Sequence, residues 1–193
     1  MGFFVDRRAL WASIAVAGLI VVPLMLNVPL YFDDLGRSLN GSYGWSEDGR
    51  PLADAVSQLL LLGAPRTVLN SPLGLLICVP LMALGSCLLA RIFQHPRFWG
   101  APLACVFLFG SPYFIENLSY GFDAPQMVLA VLLNLWAAWL TLKRVTVAPM
   151  LLAVTLVLAG LCLYQPAHAA FWIPVLLALV FPDRTAPDTS PAP

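Results

Sequence analysis

The chain has 193 residues, 60% of them apolar and only 10% charged, and its ten basic and ten acidic side chains cancel to a net charge of zero. An ordinary soluble domain carries about 25% charged residues, so this composition excludes a water-soluble globular protein. With no basic stripe along the chain, nucleic acid is excluded as a partner.

The charges fall in clusters separated by long uncharged runs: Ala9 to Phe32, Leu73 to Ala90, Phe98 to Ile115, Ala124 to Leu142, and Val145 to Pro182. A helix needs about 20 residues to cross a hydrocarbon core about 30 Å thick. The first four runs each supply one such span and the last is long enough for two. A soluble core helix keeps a polar face, and these runs have none.

In chain order, the first span is predicted over about Ala9 to Leu30. The apolar run continues well past the small residues Ala15-Val16-Ala17, so it reads as an uncleaved span and not as a signal peptide. A first outer loop follows over residues 31–71 and holds eight of the twenty charged residues. Within it, Pro51 to Leu62 reads as a helix with proline in its first turn. Leu52, Val56, Leu59 and Leu60 share one face, which lays this helix flat in the outer interface. Span two covers about Pro72 to Ala90, span three Phe98 to Ile115, and span four Gln126 to Leu142, with a second outer loop over 116–125. Two short apolar segments then meet at Tyr164-Gln165-Pro166-Ala167-His168, where proline breaks the helix. They form either two short spans or a re-entrant pair.

The expected architecture is therefore an all-α integral membrane protein of about six transmembrane helices. It comprises one polytopic domain over 1–182 and a Pro-, Thr-, Ser- and Asp-containing tail over 183–193 that is expected to be disordered. Arg7, Arg8, Arg91, Arg97, Lys143, Arg144 and Arg184 collect on one side of this arrangement. The acids Asp33, Asp34, Glu47, Asp48, Asp54, Glu116 and Asp123 collect on the other. Short cytoplasmic loops carry the excess of Lys and Arg, so both termini are expected in the cytoplasm. Cys78, Cys87, Cys105 and Cys162 lie inside apolar runs, without zinc or disulfide-framework spacing, and read as packing residues.

Asp33-Asp34 stands where the first span leaves the membrane. Adjacent carboxylates there can act as a general base or hold a divalent cation; the plainer alternative is the solvated start of a loop. Arg37 and Arg50 bring paired donors suited to phosphate, and Trp45 an apolar platform for a sugar ring. Glu116 and Asp123 end spans three and four on the same side, and Tyr164, Gln165 and His168 lie at the same level. A histidine in such a place is more often a hydrogen-bonded packing residue than a catalytic one. GxGxxG, Walker and zinc motifs are absent, so no cofactor is implied, and a divalent cation at the acidic pair remains an open alternative.

The ordered set Tyr31-Phe32-Asp33-Asp34-Leu35-Gly36-Arg37-Ser38-Leu39, Gly44-Trp45, Gly49-Arg50-Pro51-Leu52-Ala53, Ser111 to Tyr120, and Tyr164-Gln165-Pro166 resembles the Gtr family of serotype-converting O-antigen glucosyltransferases. The match corresponds to the N-terminal part of longer members. What the resemblance implies is a GT-C-like membrane glycosyltransferase of the bacterial inner membrane. Such an enzyme moves glucose from a polyprenyl-phosphate donor to lipopolysaccharide O-antigen on the periplasmic side. On that reading Asp33 or Asp34 is catalytic, and Arg37, Trp45, Arg50, Glu116, Asp123, Tyr164 and Gln165 bind substrate. The rival readings are a lipid-linked sugar flippase or a non-catalytic fragment or subunit of such a system. The apolar cores lack the ionisable residues that substrate pathways use, which favours surface chemistry over conduction.

Overall fold

The structure is a computed structural model that describes residues 6–27, 30, 32–93, 99–143 and 146–181. The expected tail over 183–193, together with Tyr31, Arg97, Arg144 and Arg184, lies outside the described residues. The helices are α1 (Arg7–Leu26), α2 (Phe32–Asn40), α3 (Pro51–Leu60), α4 (Leu73–Ile92), α5 (Gly100–Phe109), α6 (Pro112–Ser119), α7 (Ala124–Lys143), α8 (Val147–Leu163) and α9 (Ala169–Val180). A short 3-10 turn, Gln165–His168, joins the last two. There is no strand among the described residues.

Local chemistry sets several of these boundaries. The Asp6 carboxylate accepts the Arg8 N–H at 2.9 Å and caps α1. Pro51 opens α3 in its first turn, where a missing N–H costs nothing. Ser111 accepts the Phe114 N–H on its hydroxyl and, with Pro112 behind it, starts α6 afresh. Because Ser111 is extended, α6 leaves the line of α5 by 71°.

Helices α1, α4 and α7, each 20 residues long, are apolar enough to cross a membrane, and α5 with α6 makes a fourth span if the bent pair counts as one. The count of six is not confirmed among the described residues. Length is the reason: α8 has 17 residues and α9 has 12, about 25 Å and 18 Å at 1.5 Å per residue, short of the ~30 Å hydrocarbon core. The third expected span is divided at Gly110-Ser111.

At the core, α7 packs against α4, α8 and α9, while α1 packs against α4 and α5. Met82, Leu88, Phe109, Leu118, Val128 and Leu135 form its centre. Close approach of α7 and α8 depends on Gly160, where an added Cβ would stand 2.3 Å from the Asn134 amide nitrogen. Ala9 at the start of α1 clusters with Cys87 and Ala90 near the end of α4 and with Ala101 of α5. At the other end, Gly74 of α4 meets Pro125 of α7. Chain direction thus puts Arg7, Arg8, Arg91 and Lys143 at one end of the bundle and Asp33, Asp34, Glu116 and Asp123 at the opposite end.

The first outer segment holds a helix that hydropathy does not announce, α2, in addition to α3. Each turns leucines outward and one polar side chain inward, and α3 also buries Ala53 and packs Val56 against the core. On α2, Asp34 is 1% exposed while Leu35 and Leu39, one turn apart, are 55% and 79% exposed. On α3, Ser57 is buried and accepts a hydrogen bond from Gln126 of α7, whereas Leu59 points outward. Leucines outside and polar groups inside suit helices resting in lipid.

Candidate functional site

The acid end of the bundle holds an open cleft of about 280 Å³ lined by Asp33, Arg50, Glu116, Asn117, Tyr120, Asp123, Met127 and Tyr164. Its walls come from far-apart stretches of chain: α2, the entry to α3, α6, the turn into α7 and the end of α8. Five of the nine residues singled out from the sequence meet there: Asp33, Arg50, Glu116, Asp123 and Tyr164.

The other four surround the cleft without lining it. Asp34 is buried, and its Oδ2 accepts the Gly121 N–H at 2.8 Å. This bond ties the first outer segment to the second, and Gly121 lets Leu69 pack close: an added Cβ would stand 2.6 Å from Leu69 Cδ1, so that the leucine would have to shift. Gln165 reaches back to the carbonyls of Asp48 and Gly49, each at 3.4 Å. Trp45 is not an open platform. It is fully buried with Ala53 and Phe122, and the Arg37 guanidinium covers its ring at 4.0 Å from the centroid. Arg37 is further held by donating to the Tyr43 carbonyl. An arginine stacked and bonded in this way acts first as a strut.

The turn that carries Trp45 and Arg50 is fastened by Asp54 in the first turn of α3. Its carboxylate accepts the Trp45 N–H at 3.2 Å, the Ser46 N–H at 2.7 Å, and the Ser46 hydroxyl. Arg50 is then presented to the cleft with a 3.4 Å contact to Asp48. Across the cleft, the Tyr164 hydroxyl donates to Asn117 Oδ1 at 3.1 Å, joining the end of α8 to α6. Burial pushes the Tyr164 phenol upward; Arg50 opposes that shift while Glu116 and Asp123 add to it.

Asp123 differs from the two other carboxylates of the cleft. Asp33 and Glu116 are exposed, whereas Asp123 is 5% exposed. Burial pushes its carboxyl from 3.8 up to about 6, against the pull of Arg37, Arg50 and the Trp45 indole, with Asp34 adding to the rise. Asp123 Oδ1 and Trp45 Nε1 are both buried without completing a hydrogen bond.

Sequence reasoning missed Asn117, Tyr120 and Met127 as cleft residues. Asn117 and Tyr120 lie within the stretch Ser111 to Tyr120 that carries the family resemblance; no spacing signal marks Met127. His168 sits below the cleft as a packing residue, with Nε2 accepting from the Trp172 indole at 2.7 Å and Nδ1 at 3.3 Å from Asn134 Oδ1. Among the described residues, no group of three or more His, Cys, Asp or Glu side chains is arranged to hold a metal ion.

Spans packed into one bundle, with carboxylates, an arginine and a tyrosine meeting at one end, define a membrane protein whose polar chemistry is gathered at one face. The chain belongs to the GtrII family: the family model described as "Glucosyl transferase GtrII" matches residues 22–189. It is also similar to an uncharacterized 55.3 kDa protein in the gtrB 5' region of Salmonella phage P22, with 32% identity over 179 residues. That alignment covers 92% of this chain and 36% of the phage protein, so the chain spans about a third of that relative's length. No solved structure matches the chain.

Proposed function

We propose that the cleft is the transfer site of a membrane glucosyltransferase. It takes glucose or a similar sugar from a polyprenyl-phosphate donor and delivers it to lipopolysaccharide O-antigen. The observation that carries this reading is the convergence of Asp33, Glu116 and Asp123 with Arg50 and Tyr164 on one cleft at the acid end of the spans. Family membership supports the same chemistry.

In this reaction an acceptor hydroxyl attacks the anomeric carbon of the donor, and polyprenyl phosphate departs. A cleft carboxylate takes the hydroxyl proton; of the Asp33–Asp34 pair, only Asp33 opens to the cleft. Arg50 offers its donors to the phosphate as charge builds on it. Arg37 contributes its charge from behind, and Gln165 and Trp45 hold the walls in place. Glu116, Asn117 and Tyr120 have the donors and acceptors a sugar requires. The outward leucines of α2 and α3 keep the cleft at the level of the lipid headgroups, where a lipid-borne phosphate resides.

The same reading makes residues 1–182 one polytopic domain of the bacterial inner membrane, with both termini cytoplasmic and the cleft periplasmic. Support comes from Arg7, Arg8, Arg91 and Lys143 at the bundle end opposite the cleft. A flippase is less well supported, because among the described residues the interiors of α1, α4, α7, α8 and α9 carry no Asp, Glu, Lys or Arg.

The test is incubation of the purified chain with polyprenyl-phosphate glucose and a lipid-linked O-antigen glycan. Mass analysis is expected to show the acceptor heavier by one hexose. An acceptor of unchanged mass, with a longer family member active beside it, would defeat the proposal for this chain.

A further inference from the structure

We propose that Asp123, and not the acidic pair at the end of the first span, is the base that takes the proton from the acceptor hydroxyl. This rests on the glucosyl-transfer reading and names the residue that performs its proton step.

Four observations converge. Asp123 lines the cleft that the substrate would occupy. It is more than nine-tenths buried, unlike Asp33 and Glu116 on the same cleft. Its Oδ1 is a buried oxygen that completes no hydrogen bond, with the Trp45 indole acting on the same carboxylate, whereas Asp34 does not line the cleft and its Oδ2 accepts the Gly121 N–H. Lastly, its surroundings are balanced. Asp34 and Arg37 come from α2, Arg50 from the entry to α3, Glu116 from α6 and Tyr164 from the end of α8, with Asp33 on the near wall. Burial lifts its proton affinity to about 6 against the two arginines. A general base works best when its proton affinity lies near the working pH, because it is then mostly ionised yet still basic.

The proton and electron pairs balance as follows. The acceptor O–H bond breaks and its proton moves to the Asp123 carboxylate. The oxygen forms a bond to the anomeric carbon, and the bond from that carbon to the phosphate oxygen breaks with its electron pair going to polyprenyl phosphate. Burial favours the neutral carboxylic acid that results. Once Asp123 is neutral, the positive charge of Arg50 is no longer balanced by it and is free to meet the charge arriving on the leaving phosphate. Proton uptake and leaving-group stabilisation are thereby coupled through one pair of neighbours.

The experiment measures hexose transfer by the full chain from polyprenyl-phosphate glucose to a lipid-linked O-antigen glycan, across pH from about 4 to 8. In the unmodified protein kcat should fall on the acid side with a midpoint near 6. Asp123→Asn should lower kcat by about 10²-fold or more, the scale of a lost general base, and abolish the acid limb while leaving KM for the donor nearly unchanged. Glu47→Gln, an exposed acid in the same outer segment, should behave as the unmodified chain. Asp123→Glu, which keeps the carboxylate, should retain part of kcat with a displaced acid limb. This second variant decides the matter should Asp123→Asn fail to insert. An Asp123→Asn protein with near-normal kcat, or an acid limb unmoved in either variant, overturns this inference alone. No transfer by the unmodified chain overturns the glucosyl-transfer reading, and this assignment with it.

Discussion

Asp34 and Gly121 lie 87 positions apart, and the carboxylate of one accepts the backbone N–H of the other at 2.8 Å. Through this bond the chain leaving α1 and the chain entering α7 hold a common position under the cleft. A charge-assisted hydrogen bond of this kind is both shorter and stronger than a neutral one.

Removing that tie should therefore be costly. Asp34→Ala is expected to destabilise the protein by about 3 kcal/mol, because it deletes a charged acceptor and leaves a buried N–H unsatisfied. Asp34→Asn keeps a carbonyl acceptor and should cost only about 1 kcal/mol. Gly121→Val should resemble Asp34→Ala, since its side chain would collide with Leu69. Thermal unfolding in detergent reads all three; an Asp34→Ala protein that melts with the unmodified one would show the bond to be dispensable.

Asp123 predicts a pH dependence of stability opposite to that of a salt-bridged aspartate. Its folded-state affinity for the proton lies above the ordinary value, so the folded protein binds more protons than the unfolded chain between about pH 4 and 6. Stability from this group is greatest below pH 4 and declines as pH rises through 6. The change from 3.8 to about 6 corresponds to about 3 kcal/mol. Asp123→Asn should flatten this decline and melt higher than the unmodified protein at pH 7. Melting curves at pH 4, 6 and 8 that keep the decline in the variant would place its source in another group.

The two arginines should separate by kind of defect. Arg50 lines the cleft, so Arg50→Lys, which keeps charge but loses the planar pair of donors, is expected to raise KM for the lipid donor by about tenfold with little change in melting temperature. Arg37 is stacked on Trp45 and bonded to Tyr43, so Arg37→Lys should lower the melting temperature first. Donor titrations and melts on the same preparations check both; normal donor use in Arg50→Lys would move the phosphate contact elsewhere.

Sidedness is testable without any substrate. Ser42 and Thr146 are exposed and lie at opposite ends of the bundle by chain direction. With the four native cysteines replaced, Ser42→Cys should react with an impermeant maleimide added from the periplasmic side and Thr146→Cys only from the cytoplasmic side. Reaction of both from one side would contradict this topology.

The spans were legible because charge is so costly in hydrocarbon that its absence over about 20 residues leaves few other readings. The cleft was half legible for a related reason: acids set at the ends of apolar runs are brought to one level by the length of the spans, which is why Asp33, Glu116 and Asp123 converge. What lies between was not. Whether Trp45 faces outward or inward depends on Asp54 and Arg37 closing on it, and no local pattern records that. Helix α2 has only nine residues, too few for hydrophobic periodicity to stand out, and the partner of its buried Asp34 is Gly121, 87 positions away. The break at Gly110-Ser111 is masked in the sequence because the residues on either side of it, Phe107 to Phe109 and Tyr113 to Ile115, are apolar.

The outward leucines of α2 and α3 carry a practical consequence for anyone dissecting this protein. An extramembrane segment is ordinarily something one can excise, express in water and assay for ligand. Here Leu35, Leu39, Leu59 and Leu62, the last 93% exposed, make residues 32–71 a segment that needs a detergent or lipid boundary to stay dispersed. An antibody or protease approaching the acid end from water would meet the exposed turn around Ser46 to Asp48. On the placement proposed above, a lipid-borne donor would enter the cleft sideways from the plane of the bilayer, and the acceptor from the water above it.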